Sequence, residues 1–165
     1  MRKVILVTML MVGCIFMNAQ CKYDKDEVDE FTANKIISTK SETLGKSAFS
    51  FVSVSFSMVD SFLYLHAKVS GRAFECVTSE SKLYIKLSDG TVEVFQHVGD
   101  IDCENSDYIP KSFVSLMTER QLDLFTKINV ESARIVVSNG KKDYKVKEKR
   151  WQKFMALARC MQVRL

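Results

Sequence analysis

The sequence is poor in residues that interrupt or divide a chain. It contains a single proline, Pro110, and six glycines among 165 residues, and it shows no internal repeat and no low-complexity segment. Such a composition offers no obvious linker between domains. We therefore expect one domain with a sizeable hydrophobic core.

Signatures of catalytic and redox sites are also missing. The chain has neither a Gly-x-Ser-x-Gly elbow nor a Cys-x-x-Cys pair, and its cysteine spacings fit no zinc pattern. The serines between Ser50 and Ser61 alternate along a predicted strand, as they do on an exposed β-face. We assign no catalytic residue, no cofactor and no metal ligand from the sequence. A thiol enzyme that brings a histidine to a free cysteine in space stays open.

The N-terminus carries the features of a secretory signal peptide. Arg2 and Lys3 precede an uncharged apolar run over residues 4–17, and Ala19 supplies the small residue of a cleavage site. The run is shorter than the about 20 residues of a membrane-spanning helix, and nothing later resembles a transmembrane segment. We expect residues 1–19 to be a cleaved signal peptide and the mature protein to be periplasmic or secreted.

A lipid anchor is the alternative reading of the same segment. Met11-Val12-Gly13-Cys14 resembles a lipobox, and acylation of Cys14 would tether the protein to a membrane. Against this, residues 15–17 are apolar where a hydrophilic tether is expected. Simple cleavage after Ala19 is the preferred interpretation.

Cleavage after Ala19 changes both the charge and the cysteine count. Loss of Arg2 and Lys3 from 24 basic residues leaves 22 against 20 acidic ones, which gives no case for a nucleic-acid partner. Loss of Cys14 leaves an even number of cysteines, which predicts two disulfides with three possible connectivities. The disulfide candidates are Cys21, Cys76, Cys103 and Cys160.

Hairpin register favours a bond between Cys76 and Cys103. If Asp89-Gly90 is a two-residue turn, any two residues that face each other across this hairpin have numbers that sum to 179. The numbers of Cys76 and Cys103 also sum to 179. The same count makes them a hydrogen-bonded pair, and a three-residue loop would oppose Cys76 to Asp102 instead.

Cys160 is expected to lie outside the core. Helical spacing places it about 180° from Trp151, on the far side of the predicted buried stripe. We expect it to pair with Cys21 through a flexible lead-in or to titrate as a free thiol.

Apolar alternation predicts about seven short strands. The clearest is Ser50–Met58, which leads through a turn at Val59–Ser61 into a return strand over residues 62–69. Residues 20–32 are charged and are expected to form an unpaired polar lead-in to a single β-rich domain over residues 33–165. The other predicted strands are residues 35–41, 83–87, 92–96, 133–138 and 143–146, with residues 112–117 as a further candidate.

Two helices complete the predicted fold. Thr118 and Gln121 form a capping box that opens a short helix through about Lys127. A C-terminal amphipathic helix runs over about residues 147–163. The predicted fold class is mainly β (α+β), an antiparallel β-sandwich or curved sheet whose open side this helix covers. The apolar stripe of the C-terminal helix is Trp151, Phe154, Met155, Leu157, Ala158 and Met161.

Three groups of polar residues are candidates for a metal-binding or anion-binding site. His66 and His97 are the only histidines, and their spacing favours ordinary surface residues over a metal site. A loop with Asp100, Asp102, Glu104 and Asp107 lacks the glycine and the twelfth-position glutamate of an EF-hand, which favours a solvated acidic loop. Residues 141–165 hold nine basic and two acidic residues. They could meet anionic lipid or glycan, although a solvated helix face is the preferred interpretation.

Several segments resemble a group of uncharacterised small exported bacterial β-rich proteins. They are Asp26–Thr32, the Lys-Leu-Ser-Asp-Gly hairpin at Lys86–Gly90, and the closing strand, turn and basic amphipathic helix. The resemblance implies an extracytoplasmic location and brings no catalytic residue with it.

The expected function is binding rather than catalysis. The absence of a catalytic motif favours a non-enzymatic binding or interaction module of the cell envelope, whose partner is an envelope protein, a glycan or a small ligand. The alternative is a hydrolase built from loops, or an enzyme inhibitor.

Overall fold

The computed structural model describes residues 21, 23–71, 75–103 and 109–165. The predicted signal peptide, residues 1–19, lies outside this range. Among the described residues, no helix is long and apolar enough to cross a membrane. Ten strands and two helices follow one another in this part of the chain: β1 (Tyr23–Val28), β2 (Lys35–Thr39), β3 (Glu42–Lys46), β4 (Ser50–Val59), β5 (Phe62–Gly71), β6 (Lys82–Leu87), β7 (Val92–Gln96), β8 (Lys111–Met117), α1 (Glu119–Lys127), β9 (Val130–Val137), β10 (Gly140–Lys145) and α2 (Glu148–Gln162).

The first sheet has six antiparallel strands in the order β1-β2-β4-β5-β8, with β3 as the sixth. Strands β2 and β3 share one edge of β4, since β2 pairs with residues 57–59 and β3 with residues 51–54. Thr39 fills the interval between them. Thr39 is the last residue of β2, and its hydroxyl accepts a hydrogen bond from the Phe56 N–H at 2.9 Å, which satisfies a backbone donor between the paired stretches of β4.

The second sheet has four antiparallel strands in the order β10-β9-β6-β7. Its edge strand β7 continues toward β8 of the first sheet, where the Val98 N–H donates to the Val114 carbonyl at 2.8 Å. At the opposite side, β3 and β10 approach so closely that a Cβ on Gly45 would lie 2.4 Å from the Tyr144 Cβ. The two antiparallel sheets thus meet along these strands, and their strand content confirms the predicted mainly-β class.

Aromatic side chains fill the space between the sheets and the helices. The ring of Phe154 from α2 lies 5.3 Å from Phe56 of β4 and 5.0 Å from Phe125 of α1, measured between ring centroids. All three side chains are buried. The C-terminal helix therefore covers the core as predicted, with Trp151 and Leu157 half-buried at its margin.

Helix boundaries also agree with the sequence pattern. The Gln121 N–H donates to the Thr118 hydroxyl at 3.2 Å, and the Thr118 N–H donates to Gln121 Oε1 at 3.0 Å. This is the predicted capping box, which satisfies two donors at the start of α1. Helix α2 begins after Lys147 and ends before Val163.

The polar lead-in differs from its expectation. Tyr23–Val28 is strand β1, which pairs with β2, rather than an unpaired segment. It is an edge strand whose four middle residues are charged and exposed, so no apolar alternation marks it. Strand β3 was not predicted either, since Glu42–Lys46 buries only Leu44 and Gly45.

Both predicted disulfides are present. Cys21 is bonded to Cys160 and Cys76 to Cys103. Cys160 nevertheless lies buried, because β1 covers this part of α2 and the Tyr23 hydroxyl donates to the Cys160 carbonyl at 2.9 Å. The expectation that Cys160 lies away from the core stripe neglected this strand.

The hairpin register that led to the second disulfide was wrong by one residue. Lys86 faces Val92, so facing residues in β6 and β7 sum to 178 and the loop has more than two residues. Farther from the turn, Val77 pairs with Asp102 through two hydrogen bonds of 2.9 Å, and these residue numbers sum to 179. The chain that returns from the turn therefore contains one additional residue, which restores the predicted sum. Cys76 and Cys103 are thus the adjacent non-hydrogen-bonded pair, whose Cα atoms lie 4.2 Å apart.

Candidate functional site

The outer face of the first sheet carries a row of small hydroxyl side chains. Alternation along β4 directs Val52, Val54 and Phe56 into the core, so the serines between them lie on the opposite face. Across the hairpin, Ser57 faces Tyr64 and Ser55 faces His66. The central strands of a sheet hold these groups at fixed spacing.

A groove of about 380 Å³ opens on this face. It lies beside the edge of β4, at the point where pairing with β2 ends and pairing with β3 begins. Neither strand pairs with Ser55, which is therefore left uncovered. Apolar side chains form part of its wall, and most of the remainder carries hydroxyl or charged groups. The lining residues are Asp24, Lys25, Ile36, Ser38, Thr39, Ser41, Ser55, Ser57, Val59, His66, Ala67, Lys68 and Ser112.

Ser57 and His66 are in direct contact within the groove. The Ser57 hydroxyl lies 2.6 Å from His66 Nε2. Burial lowers the pKa of His66 below its usual 6.5, so the imidazole is neutral at neutral pH. In the described part of the chain, no carboxylate is hydrogen-bonded to His66 to orient it. The contact therefore lacks the third member of a catalytic triad.

Two lysines contribute positive charge to the groove. Lys25 is ion-paired with Glu27 at 3.3 Å, and both side chains are more than half exposed. Lys68 is exposed and makes no ion pair with any described carboxylate. Asp24 is the one acidic residue among the described residues of the lining. The groove thus combines hydroxyl groups, a neutral imidazole and an ammonium group open to an incoming anion.

His97 has a structural role and is not a surface residue. It is buried, with its ring 5.3 Å from that of Phe113. Its Nδ1 accepts a hydrogen bond from the Val114 N–H at 3.0 Å, and its Nε2 lies 3.0 Å from the Asp100 carbonyl. Nδ1 joins the end of β7 to β8 and Nε2 contacts the loop that follows β7, so both ring nitrogens of His97 are engaged away from His66.

The acidic loop is only partly within the described residues. Glu104 and Asp107 lie outside them. Asp102 accepts a hydrogen bond from the Ser112 N–H at 2.6 Å and thereby supports the start of β8, while Asp100 is exposed. No group of three or more metal-binding side chains occurs in the ranges that the structure covers.

The sequence pattern predicts only an exposed sheet face for the serines of β4 and does not connect them with His66. These side chains meet diagonally across the β4–β5 hairpin, since His66 lies two residues beyond Tyr64, the partner of Ser57. The signal was available in the predicted turn at Val59–Ser61, which fixes the register of both strands. The groove itself was not predictable, because it depends on the unpredicted strand β3.

Comparisons with protein-family models, with curated proteins and with solved structures found no match to this chain.

Proposed function

We propose that this protein is an exported, non-enzymatic binding module whose first-sheet groove holds an acidic sugar unit of a glycan. The observation that carries the proposal is the combination in one groove of several hydroxyl groups with the ammonium group of Lys68, which is ion-paired with no carboxylate of the described residues. A uronic acid presents hydroxyl groups and a single carboxylate, and it matches both features.

Other properties of the chain agree with export. The N-terminal pattern is that of a signal peptide cleaved after Ala19, and the resemblance to small exported bacterial proteins points to the periplasm or the exterior. Two disulfides are compatible with such an oxidising compartment.

Rigid placement also favours binding. The groove residues Ser55, Ser57 and His66 lie on adjacent central strands that are paired along ten residues each. Such groups lose little conformational freedom when a ligand arrives, which is favourable for recognition of a flexible sugar chain.

Calorimetric titration of the mature protein with trigalacturonate tests the proposal. We expect the wild type to bind, Lys68→Ala to weaken binding about tenfold, and the matched Lys86→Ala on the other sheet to leave it unchanged, since Lys86 is paired with Glu131. Galactotriose, which lacks the carboxylates, should bind at least about tenfold more weakly. Equal affinity for both sugars, or no effect of Lys68→Ala, contradicts the proposal.

The Ser57–His66 contact favours a second candidate function, that of a serine hydrolase. A neutral imidazole 2.6 Å from a hydroxyl can accept its proton. Treatment with a fluorophosphonate probe separates the two candidates: covalent labelling that is lost in Ser57→Ala favours the hydrolase, whereas the binding proposal predicts no labelling.

A further inference from the structure

A second positively charged surface lies at the end of β10 and the start of α2. Residues 141–150 hold six basic side chains and two acidic ones, Asp143 and Glu148. Asp143 is ion-paired with Arg134 of the neighbouring strand, and Glu148 accepts a hydrogen bond from Gln152. None of the six cations is ion-paired with a carboxylate of the described residues. They are Lys141, Lys142, Lys145, Lys147, Lys149 and Arg150.

Part of this charge lines a groove of about 300 Å³ between β3 and the first turns of α2. Its walls are Glu42, Thr43, Lys147, Lys149, Arg150 and Lys153. Glu42 is ion-paired with Lys153 at 3.0 Å, so these two charges compensate each other. Three cations remain along the groove, and their repulsion is relieved when an anion enters.

Protection of a sheet edge does not explain this charge. Lysines on an edge strand discourage pairing with other chains, which accounts for Lys141 and Lys145 on β10. Lys147, Lys149 and Arg150 follow the end of that strand, and they have no edge to protect.

The basic groove and the first-sheet groove are lined by neighbouring residues of one segment. Ser41 lines the first groove, and Glu42 and Thr43 line this one. The first groove opens on the outer face of the first sheet, whereas α2 packs against the inner face through Phe154 and Phe56, so the two grooves are separate sites.

We propose that the groove of Lys147, Lys149 and Arg150 binds a linear polyanionic polysaccharide. A single polymer strand can enter a groove and place successive anionic groups against cations that lie along it. A flat lipid surface would meet only the rim. This proposal rests on the charge of residues 141–150 and does not require the first groove to bind.

The double variant Lys147→Ser/Lys149→Glu tests the proposal with little risk to folding. Serine is a favoured residue at the helix N-cap position that Lys147 occupies, and glutamate is favourable in the first turn. The probe is heparin, titrated against the mature protein at low and high salt. We expect the wild type to bind in a salt-dependent manner and the variant to bind about tenfold more weakly or worse, with a shallower salt dependence.

The matched control is Lys82→Glu/Lys86→Ser, which changes the net charge equally on the outer face of the second sheet. It should retain affinity within about twofold. If both variants lost affinity for heparin equally, the loss would be an effect of net charge alone, and the proposal would be overturned. Tighter binding of phosphatidylglycerol vesicles or of a DNA oligonucleotide than of heparin would also overturn it. Absence of heparin binding alongside retained trigalacturonate binding would contradict this inference and leave the proposed function standing.

Discussion

At Phe154 the C-terminal helix meets both the first sheet and the short helix α1. Its ring lies against Phe56 and Phe125, and its side chain is 1% exposed. This position was predictable from the spacing of apolar residues along α2 alone. The contact of Ser57 with His66 needs more than the spacing within one element, because it follows from the register of β4 with β5, which the turn at Val59–Ser61 fixes, and from the side on which each residue lies.

Phe154→Ala should therefore lower the free energy of unfolding by about 3–5 kcal/mol, through lost apolar burial and the cavity that remains. Urea denaturation measures this value, and Lys149→Ala on the exposed face of the same helix is the control, which we expect to change it by less than about 0.5 kcal/mol. A loss below about 0.5 kcal/mol for Phe154→Ala would mean that α2 does not pack as described.

Among the elements, those with strong local signals were predicted and those without were missed. Strand β4 alternates apolar and hydroxyl residues, and α1 has its capping box, so both were identified close to their observed bounds. Strands β1 and β3 lie at sheet edges, where one or no apolar side chain is buried and alternation is absent. Tertiary pairing, rather than local pattern, forms them.

The segment between the β6–β7 hairpin and the Cys76–Cys103 disulfide shows why a register cannot be extended from the turn by counting residues. Facing residues sum to 178 in β6 and β7 and to 179 at the bridge of Val77 with Asp102. A turn at residues 78–81 lies opposite a segment of the returning chain that is one residue longer than the turn, as in a β-bulge. Length counting alone cannot locate such an insertion, although the predicted pairing of Cys76 with Cys103 is confirmed.

Removal of this disulfide by Cys76→Ser/Cys103→Ser should cost roughly 3–4 kcal/mol of stability by the chain-entropy argument for its loop. Urea denaturation with and without reductant measures it: the wild type should lose stability on reduction and the double variant should lose less. Non-reducing peptide mapping supplies the control, and a peptide that joins Cys76 to any cysteine other than Cys103 would contradict the assigned connectivity.

At the scale of the whole molecule, the N-terminal strand and the C-terminal helix are joined covalently by Cys21 and Cys160. Arg164 also forms an ion pair with Asp26 of β1 at 2.7 Å and stacks over the ring of Tyr23. The first-sheet groove takes part of its lining from β1, through Asp24 and Lys25, so this attachment helps to fix the shape of the groove. Cleavage after Ala19 lies outside the described residues and stays a prediction.

The central claim is that the groove beside His66 holds an acidic ligand. NMR of the two histidine rings during a pH titration, with and without trigalacturonate, tests it most directly. Burial holds the pKa of His66 below 6.5, and a carboxylate placed beside the ring would raise it toward or above that value. His97 serves as an internal control, because its ring nitrogens are engaged with Val114 and Asp100 away from the groove. The account predicts that saturating ligand shifts the His66 resonances and raises the pKa of His66, while the ring resonances of His97 at a given pH stay in place. Unchanged His66 resonances at saturating ligand would contradict it.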